Sequence, residues 1–214
     1  MDKANLLIYD FDGVICDSVN IKTEAFVKLF EEYDINVKNE IIAYHHRFGG
    51  ISRLKKIKYI HENLINVPIS DFELNQLADK FSSLVKNSII NSKYINGALE
   101  FVLKHSTHMD QFICSGTPED ELCEIVEKKD NLVGYFKGVF GSPNSKEFII
   151  NQIIDNSKFS KRNVIFFGDA ITDYNAAKEC DVQFIGIKNE NTDFPFDTFL
   201  IDDFFDPKLS KFNL

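Results

Sequence analysis

An apolar run near the start of the chain ends on two acids: in "YDFDGVICDS" (residues 9–18), Asp10 and Asp12 flank one phenylalanine, and Gly13 follows directly. Two carboxylates at i and i+2 of a strand share a face and repel each other. A lone Asp–Gly pair usually only turns the chain into solvent. Asp-x-Asp-Gly also opens like a calcium loop, but such a loop needs an acidic ligand at its twelfth position. Counted from Asp10, that position is Ile21. Three more groups could do chemistry with this pair. Ser115, Gly116 and Thr117 follow the apolar run 111–114. Lys146 follows "GSPNS", and Asp169 and Asp173 stand in "GDAITD" after the run 163–167. Four carboxylates, a hydroxyl with loop amides and one lysine could hold a divalent cation and a phosphoryl group together. All-oxygen ligation suits Mg²⁺. Lys146 opens a helical segment with Ser145 as its cap, where a cation faces the positive end of the helix dipole at a cost of up to ~1 kcal/mol. Neighbouring carboxylates that need neutralising would offset that cost.

These residues need a scaffold that brings distant segments together. Five short apolar runs read as buried parallel strands, because they are nearly continuous rather than alternating. They span 5–9, 111–114, 138–141, 163–167 and 182–187. Helical segments at 98–105, 119–129, 147–156 and 174–180 separate or follow the last four, with Thr117 placed to cap the second and Pro118 in its first turn. Alternating strands and helices predict an α/β fold, a doubly wound Rossmann-like parallel sheet. In such sheets ligands bind beyond the carboxyl ends of the strands, where every candidate above lies.

Residues 17–88 break the alternation. Ile21, Ala25, Leu29 and Tyr33 share one helical face, Ile51, Leu54, Ile57 and Leu64 another, and Ser70 with Glu73 forms a capping box before a further helical run. The expected organisation is an α/β core from residues 1–16 and 89–214 and a small all-helical domain with its own core from 17–88. The aromatic C-terminal stretch from Phe194 is expected to add an edge strand and a tail against the core.

The chain has 214 residues, a formal net charge of −9 and 44% hydrophobic residues, enough for one sizeable core and a smaller module. Its acidity argues against nucleic-acid binding. The four cysteines, at 16, 114, 123 and 180, lack metal-site or redox spacing and read as free thiols of a reducing compartment. No signal-peptide layout and no apolar stretch of membrane-spanning length is visible, so the expectation is a soluble cytoplasmic protein, monomer or homodimer, without a membrane partner.

"DFDGVICDS", "FICSGTP", "SPNSK" and "FFGDAITD" resemble, in order, the four motifs of the haloacid dehalogenase-like hydrolase superfamily, and the helical segment 17–88 stands where that superfamily carries its first type of cap domain. The resemblance implies a Mg²⁺-dependent phosphatase acting on a small phosphate ester through an aspartyl-phosphate. Asp10 would be the nucleophile and Asp12 the general acid and base. Ser115, Gly116 and Thr117 would bind the phosphoryl oxygens, and Lys146 would steady the nucleophile. The metal would be held by Asp10, Asp12 through its backbone carbonyl, Asp169 and Asp173. Asp12 points to C–O–P substrates, since members that cleave carbon–halogen or carbon–phosphorus bonds lack that acid.

Two other functions are weighed. "GGISR" (49–53) is similar to the cap segment of β-phosphoglucomutases, and Arg53 would meet the leaving group of the substrate there. The mutase histidine, ten residues after the second aspartate, is replaced by Lys22, an anion binder but a poor proton shuttle near neutral pH. A phosphate-binding receiver domain uses similar residues, but its acid pair precedes a mid-chain acceptor, the reverse of the order here. The basic cluster 45–58 reads either as a solvated face or as a site for an anionic metabolite.

Overall fold

The computed structural model describes residues 4–130, 132–212 and 214. Six strands form one sheet: β1 (Leu6–Tyr9), β2 (Asp110–Pro118), β3 (Gly138–Ser142), β4 (Val164–Gly168), β5 (Gln183–Ile187) and β6 (Leu200–Ile201). Their order is β3-β2-β1-β4-β5-β6, and every pairing is parallel. The chain winds outward from β1 to β3, returns, and winds outward on the other side from β4. Its switch point therefore lies between β1 and β4, where the loops at the carboxyl ends diverge and leave a crevice.

Alternation along the strands splits the core in two. Leu6 and Ile8 of β1, with Val164 and Phe166 of β4, face α7 (Lys146–Asn156) and α8 (Ile171–Cys180). Leu7, Tyr9, Ile165 and Phe167 face the other side, with α5 (Ala98–His105) and α6 (Glu119–Lys128). Tyr9 stacks on Phe167 at 5.2 Å between ring centroids. The C-terminal stretch adds β6 and buries Phe204, Leu209 and Phe212. All four cysteines are free thiols. Among the described residues, no helix is long and apolar enough to cross a membrane.

Between β1 and β2 stand α1 (Val19–Leu29), α2 (Ile35–Arg47), α3 (Arg53–Tyr59), a π-helical turn (Ile60–Ile65) and α4 (Asp71–Ile90). Asp34 caps α2, and Ser70 with Glu73 forms the expected capping box on α4. Phe26, Phe30, Ile57, Phe81 and Val85 from these helices join the Tyr9 side of the sheet in one continuous buried cluster. That differs from the separate small core expected of this segment. The face of α3 also differs from the sequence reading. Leu54 is exposed, and the buried face is Arg53, Lys56 and Ile57. Apolar spacing missed this because two of the three buried side chains are cationic.

Candidate functional site

β1 ends at Tyr9, and its wholly buried residues fix where Asp10 emerges. The Asp10 amide still donates to Phe167 O of β4 at 2.9 Å, so the carboxylate begins over the switch point. Gly13 then turns the chain with φ +78°. A Cβ there would lie 2.1 Å from Asp169 Oδ2, so only glycine lets the two loops approach this closely.

A shift in strand pairing shapes the second loop. β2 and β3 pair at Cys114–Phe140 and next at Pro118–Ser142, so four steps on β2 oppose two on β3. Ser115, Gly116 and Thr117 bulge toward the crevice, and all three line a cavity of about 390 Å³ with Asp10, Asp12 and Asp169. Thr117 does not cap α6, as its sequence position suggested. Pro118 holds the cap position without a side-chain bond, and the Thr117 hydroxyl donates to Asp12 Oδ2 at 3.2 Å.

Lys146 begins α7, with Ser145 as its cap. Its ammonium lies 2.9 Å from Asp10 Oδ2 and pairs with Asp173 Oδ1. Burial opposes the Lys146 charge, but Asp10 and Asp173 outweigh it and hold the ammonium well above its usual pKa. Asp173 Oδ2 accepts the amides of Asp169 and Ala170 at 3.2 and 3.0 Å, which ties the β4 loop to the start of α8. Beyond the residues singled out from sequence, Asn189 and Thr192 donate to Asp169 O at 2.6 and 2.9 Å and line the same cavity.

Asp10, Asp169 and Asp173 each offer a carboxylate oxygen, all within 4.8 Å of one another. Burial, and then the charges of Asp10 and Asp173, push Asp169 well above the usual carboxylate range. Burial raises Asp173 to about 6, against the pull of Lys146. Three buried acids sharing one lysine fit a further divalent cation, and hard oxygen donors suit Mg²⁺. The Asp12 carboxylate is not in this group. It turns away to Lys22, Ser18 and Thr117, so only its backbone carbonyl could join the metal shell.

The linkage gives a test. Carboxyls raised in the folded state contribute stability that is present below their ordinary value near 3.8 and lost as pH rises through their folded values, about 6 for Asp173. His45, lowered to about 2, and Lys56, lowered to about 7, slope the other way, so the diagnostic quantity is the Mg²⁺-dependent difference. The increment in Tm on adding Mg²⁺ is expected to be small at pH 5 and to grow above pH 6. At a hundredfold excess over Kd it reaches roughly 5–10 °C. Thermal scans showing the same increment at every pH would count against this metal site.

Two residues expected to bind substrate line the cavity and have protein partners there. Lys22 pairs with Asp12 Oδ2 and donates to Thr117 Oγ1 at 2.7 Å. Burial alone would raise the Asp12 pKa, but the Lys22 charge and hydrogen bonds from Lys22, Ser18 and Thr117 lower it. Asp12 is therefore ionised in this arrangement. Arg53 is likewise paired. Its guanidinium forms a two-pronged pair with Glu121 of α6, at 2.7 and 2.9 Å, and lies over the Phe81 ring at 4.6 Å. No local signal links positions 53 and 121, 68 residues apart. Burial would raise Glu121, but Arg53 and Ser82 hold its carboxyl below its usual value. Glu121→Leu leaves a buried, uncompensated guanidinium and is expected to cost roughly 3–5 kcal/mol in urea unfolding, much of it recovered in the Arg53→Met/Glu121→Leu double variant. A loss under 1 kcal/mol would show that the pair is not held in solution.

The basic cluster 45–58 divides. Arg47, Lys55 and Lys58 are exposed, whereas His45, Arg53 and Lys56 are buried toward the cavity. The loop after α2 closes over the crevice. Thr172 Oγ1 donates to Gly49 O, and a Cβ on Gly116 would lie 2.2 Å from Gly50 O.

The profile described as haloacid dehalogenase-like hydrolase matches residues 7–187. A 2-hydroxy-3-keto-5-methylthiopentenyl-1-phosphate phosphatase of Bacillus cereus (strain B4264) is 27% identical over 184 residues, covering 82% of this chain and 80% of the relative. Among solved structures, YfnB from Bacillus subtilis bound to magnesium superposes with a TM-score of 0.74 at 14% identity, covering all of both chains. CbbY from Rhodobacter sphaeroides in complex with phosphate gives 0.75 at 11% identity, over 94% of this chain and 95% of that one. At these identities the structural likeness is one of fold.

Proposed function

The chain belongs to the haloacid dehalogenase-like hydrolase family, and on that premise we propose that it is a Mg²⁺-dependent phosphatase of a small phosphorylated metabolite, a sugar or organic-acid phosphate. The observation that carries this reading is the convergence at Asp10, a strand-end carboxylate 2.9 Å from Lys146 and grouped with Asp169 and Asp173. The named activity of the Bacillus cereus relative supports the substrate class.

In this mechanism an Asp10 oxygen attacks phosphorus, the ester P–O bond breaks, and the leaving oxygen takes a proton from Asp12. Water, giving a proton back to Asp12, then cleaves the acyl-phosphate and regenerates Asp10. A carboxylate nucleophile divides one difficult hydrolysis into two easier steps. The ionised Asp12 suits the second step as it stands. For the first, an arriving phosphate dianion would raise its proton affinity by like-charge repulsion. Ser115, the amide of Gly116 and Thr117 would donate to the phosphoryl oxygens, and Lys146 would hold Asp10 and offset the developing charge. Asp10, Asp169, Asp173 and the carbonyl of Asp12 would hold Mg²⁺, which when bound supplies further positive charge at the transferring group. Residues 17–88 serve as a lid on the hydrolase core formed by 1–16 and 89–214, and its closure excludes water.

The test is release of inorganic phosphate from a panel of phosphorylated metabolites. Activity is expected with Mg²⁺ and not in excess chelator. Ca²⁺, with its larger shell, could engage both Asp10 oxygens and is expected to be a poor substitute. Absence of release across the panel would reject the reading. Efficient conversion of β-glucose 1-phosphate to glucose 6-phosphate would replace it with a mutase.

A further inference from the structure

Three lid cations line the cavity: Lys22, Arg53 and Lys56. Asp12 pairs with the first and Glu121 with the second. Lys56 is only 4% exposed, yet among the described residues no carboxylate pairs with it. Its ammonium meets His45 Nδ1 at 2.7 Å and donates to His45 O at 3.3 Å. A charged ammonium must donate to Nδ1, which places the imidazole proton on Nε2. Both partners of Lys56 are then neutral, and one of its three N–H donors is left over. Phe26 and Phe81 line the same end of the cavity. A buried ammonium without a counter-ion is costly, and the cost falls when an anion enters.

Resting on the phosphatase reading, we propose that Lys56 reads a carboxylate on the leaving group of the substrate, so that the preferred substrates are phosphorylated organic acids rather than neutral sugar phosphates. One free ammonium N–H with a single uncompensated charge matches a monoanion, whereas a second phosphate would bring more charge than one free cation offsets. The cavity joins this subsite to Asp10 and Ser115 without a wall between them. Lys56 shares that cavity with Asp12 and Asp169. Burial and the Lys22 charge lower it to about 7, a shift that an adjacent carboxylate would reverse.

The test is calorimetric titration of the full chain, in buffer containing MgCl₂, with non-hydrolysable pairs: phosphonoacetate against phosphonoacetamide, and 3-phosphonopropionate against its amide. In at least one pair the acid is expected to bind about ten- to a hundredfold more tightly than the amide, as for a charge-assisted hydrogen bond. Lys56→Met is expected to bring the ratio near one, with circular dichroism confirming the fold. Equal binding of acid and amide to the wild-type chain, or no binding of any of them, overturns the proposal without recourse to a variant. A ratio that survives Lys56→Met also overturns it, because the carboxylate is then read elsewhere. Tighter binding of 1,3-propylenediphosphonate than of either acid, lost in Lys56→Met, would show that the subsite takes a phosphate instead. Turnover is scored separately. Discriminating phosphonate binding without phosphate release from any monoester would reject the phosphatase reading and leave the subsite standing.

Discussion

Asp10→Asn is expected to lower steady-state phosphate release by about four orders of magnitude or more, the scale seen when an essential nucleophile is removed. The amide has the same shape, and its oxygen can still accept the Phe11 amide that Asp10 Oδ1 accepts at 2.7 Å. It is neutral, so it is a weak nucleophile and cannot form an acyl-phosphate. Asp10 is one of three buried acids crowded within 4.8 Å, and removing its charge relieves repulsion on Asp169. Lys146 keeps Asp173 as a counter-ion. The amide NH₂ in the place of Oδ2 cannot accept from the Lys146 ammonium 2.9 Å away, so a melting scan of both proteins without Mg²⁺ is needed to separate lost activity from unfolding. Mass spectrometry after rapid acid quench should find one added phosphoryl group on the peptide containing residue 10 in the parent and none in the variant. Turnover within tenfold of the parent would end the proposed mechanism.

Much of the core was legible because its signals are local. Continuous apolar runs marked the parallel strands to within a residue or two at most ends, and the polar residues just after β1 and β4 and in the bulge of β2 lie around one cavity. Ser145 and Ser70 were readable as caps because capping depends on three or four neighbouring residues. What was not legible has a different cause. Thr117 stands where a cap would stand, but the bulge in β2 turns it toward Asp12. Arg53 and Lys22 have the chemistry of anion binders, and their charges are met by Glu121 and Asp12 through contacts that only the closed fold creates. The buried role of Lys56 was hidden for the same reason: a lysine among Lys55 and Lys58 looks solvated until α3 is docked. Side-chain partners separated by tens of residues leave no periodic trace in a single sequence.

Lys146→Met is expected to produce the other large effect, and on two quantities at once. In the parent, one buried ammonium faces Asp10 at 2.9 Å and Asp173, with Asp169 close to both acids. Methionine fills similar space without charge, leaving three clustered carboxylates with no protein cation among them. Breaking a buried ion pair from one side costs roughly 3–5 kcal/mol. That cost should be largest without metal at neutral pH. Without Lys146 to hold it down, Asp173 takes up a proton above its parent value of about 6, so the cost should shrink as pH falls toward that value, and shrink again when Mg²⁺ supplies the missing charge. Activity should not recover in parallel. Even in saturating Mg²⁺, kcat is expected to stay about 10²- to 10³-fold low, because a preorganised cation beside the nucleophile acts on the transition state itself. Lys146→Arg should not restore it. The ammonium lies so near Gly50 that a Cβ there would come within 3.0 Å of Nζ, leaving little room for a wider guanidinium. Urea unfolding across pH 5–8 with and without Mg²⁺, beside phosphate release by the same samples, separates the two effects. Recovery of full kcat in Mg²⁺ would reduce Lys146 to a structural counter-ion, and a stability loss unchanged by pH and metal would mean that it does not neutralise this acid cluster.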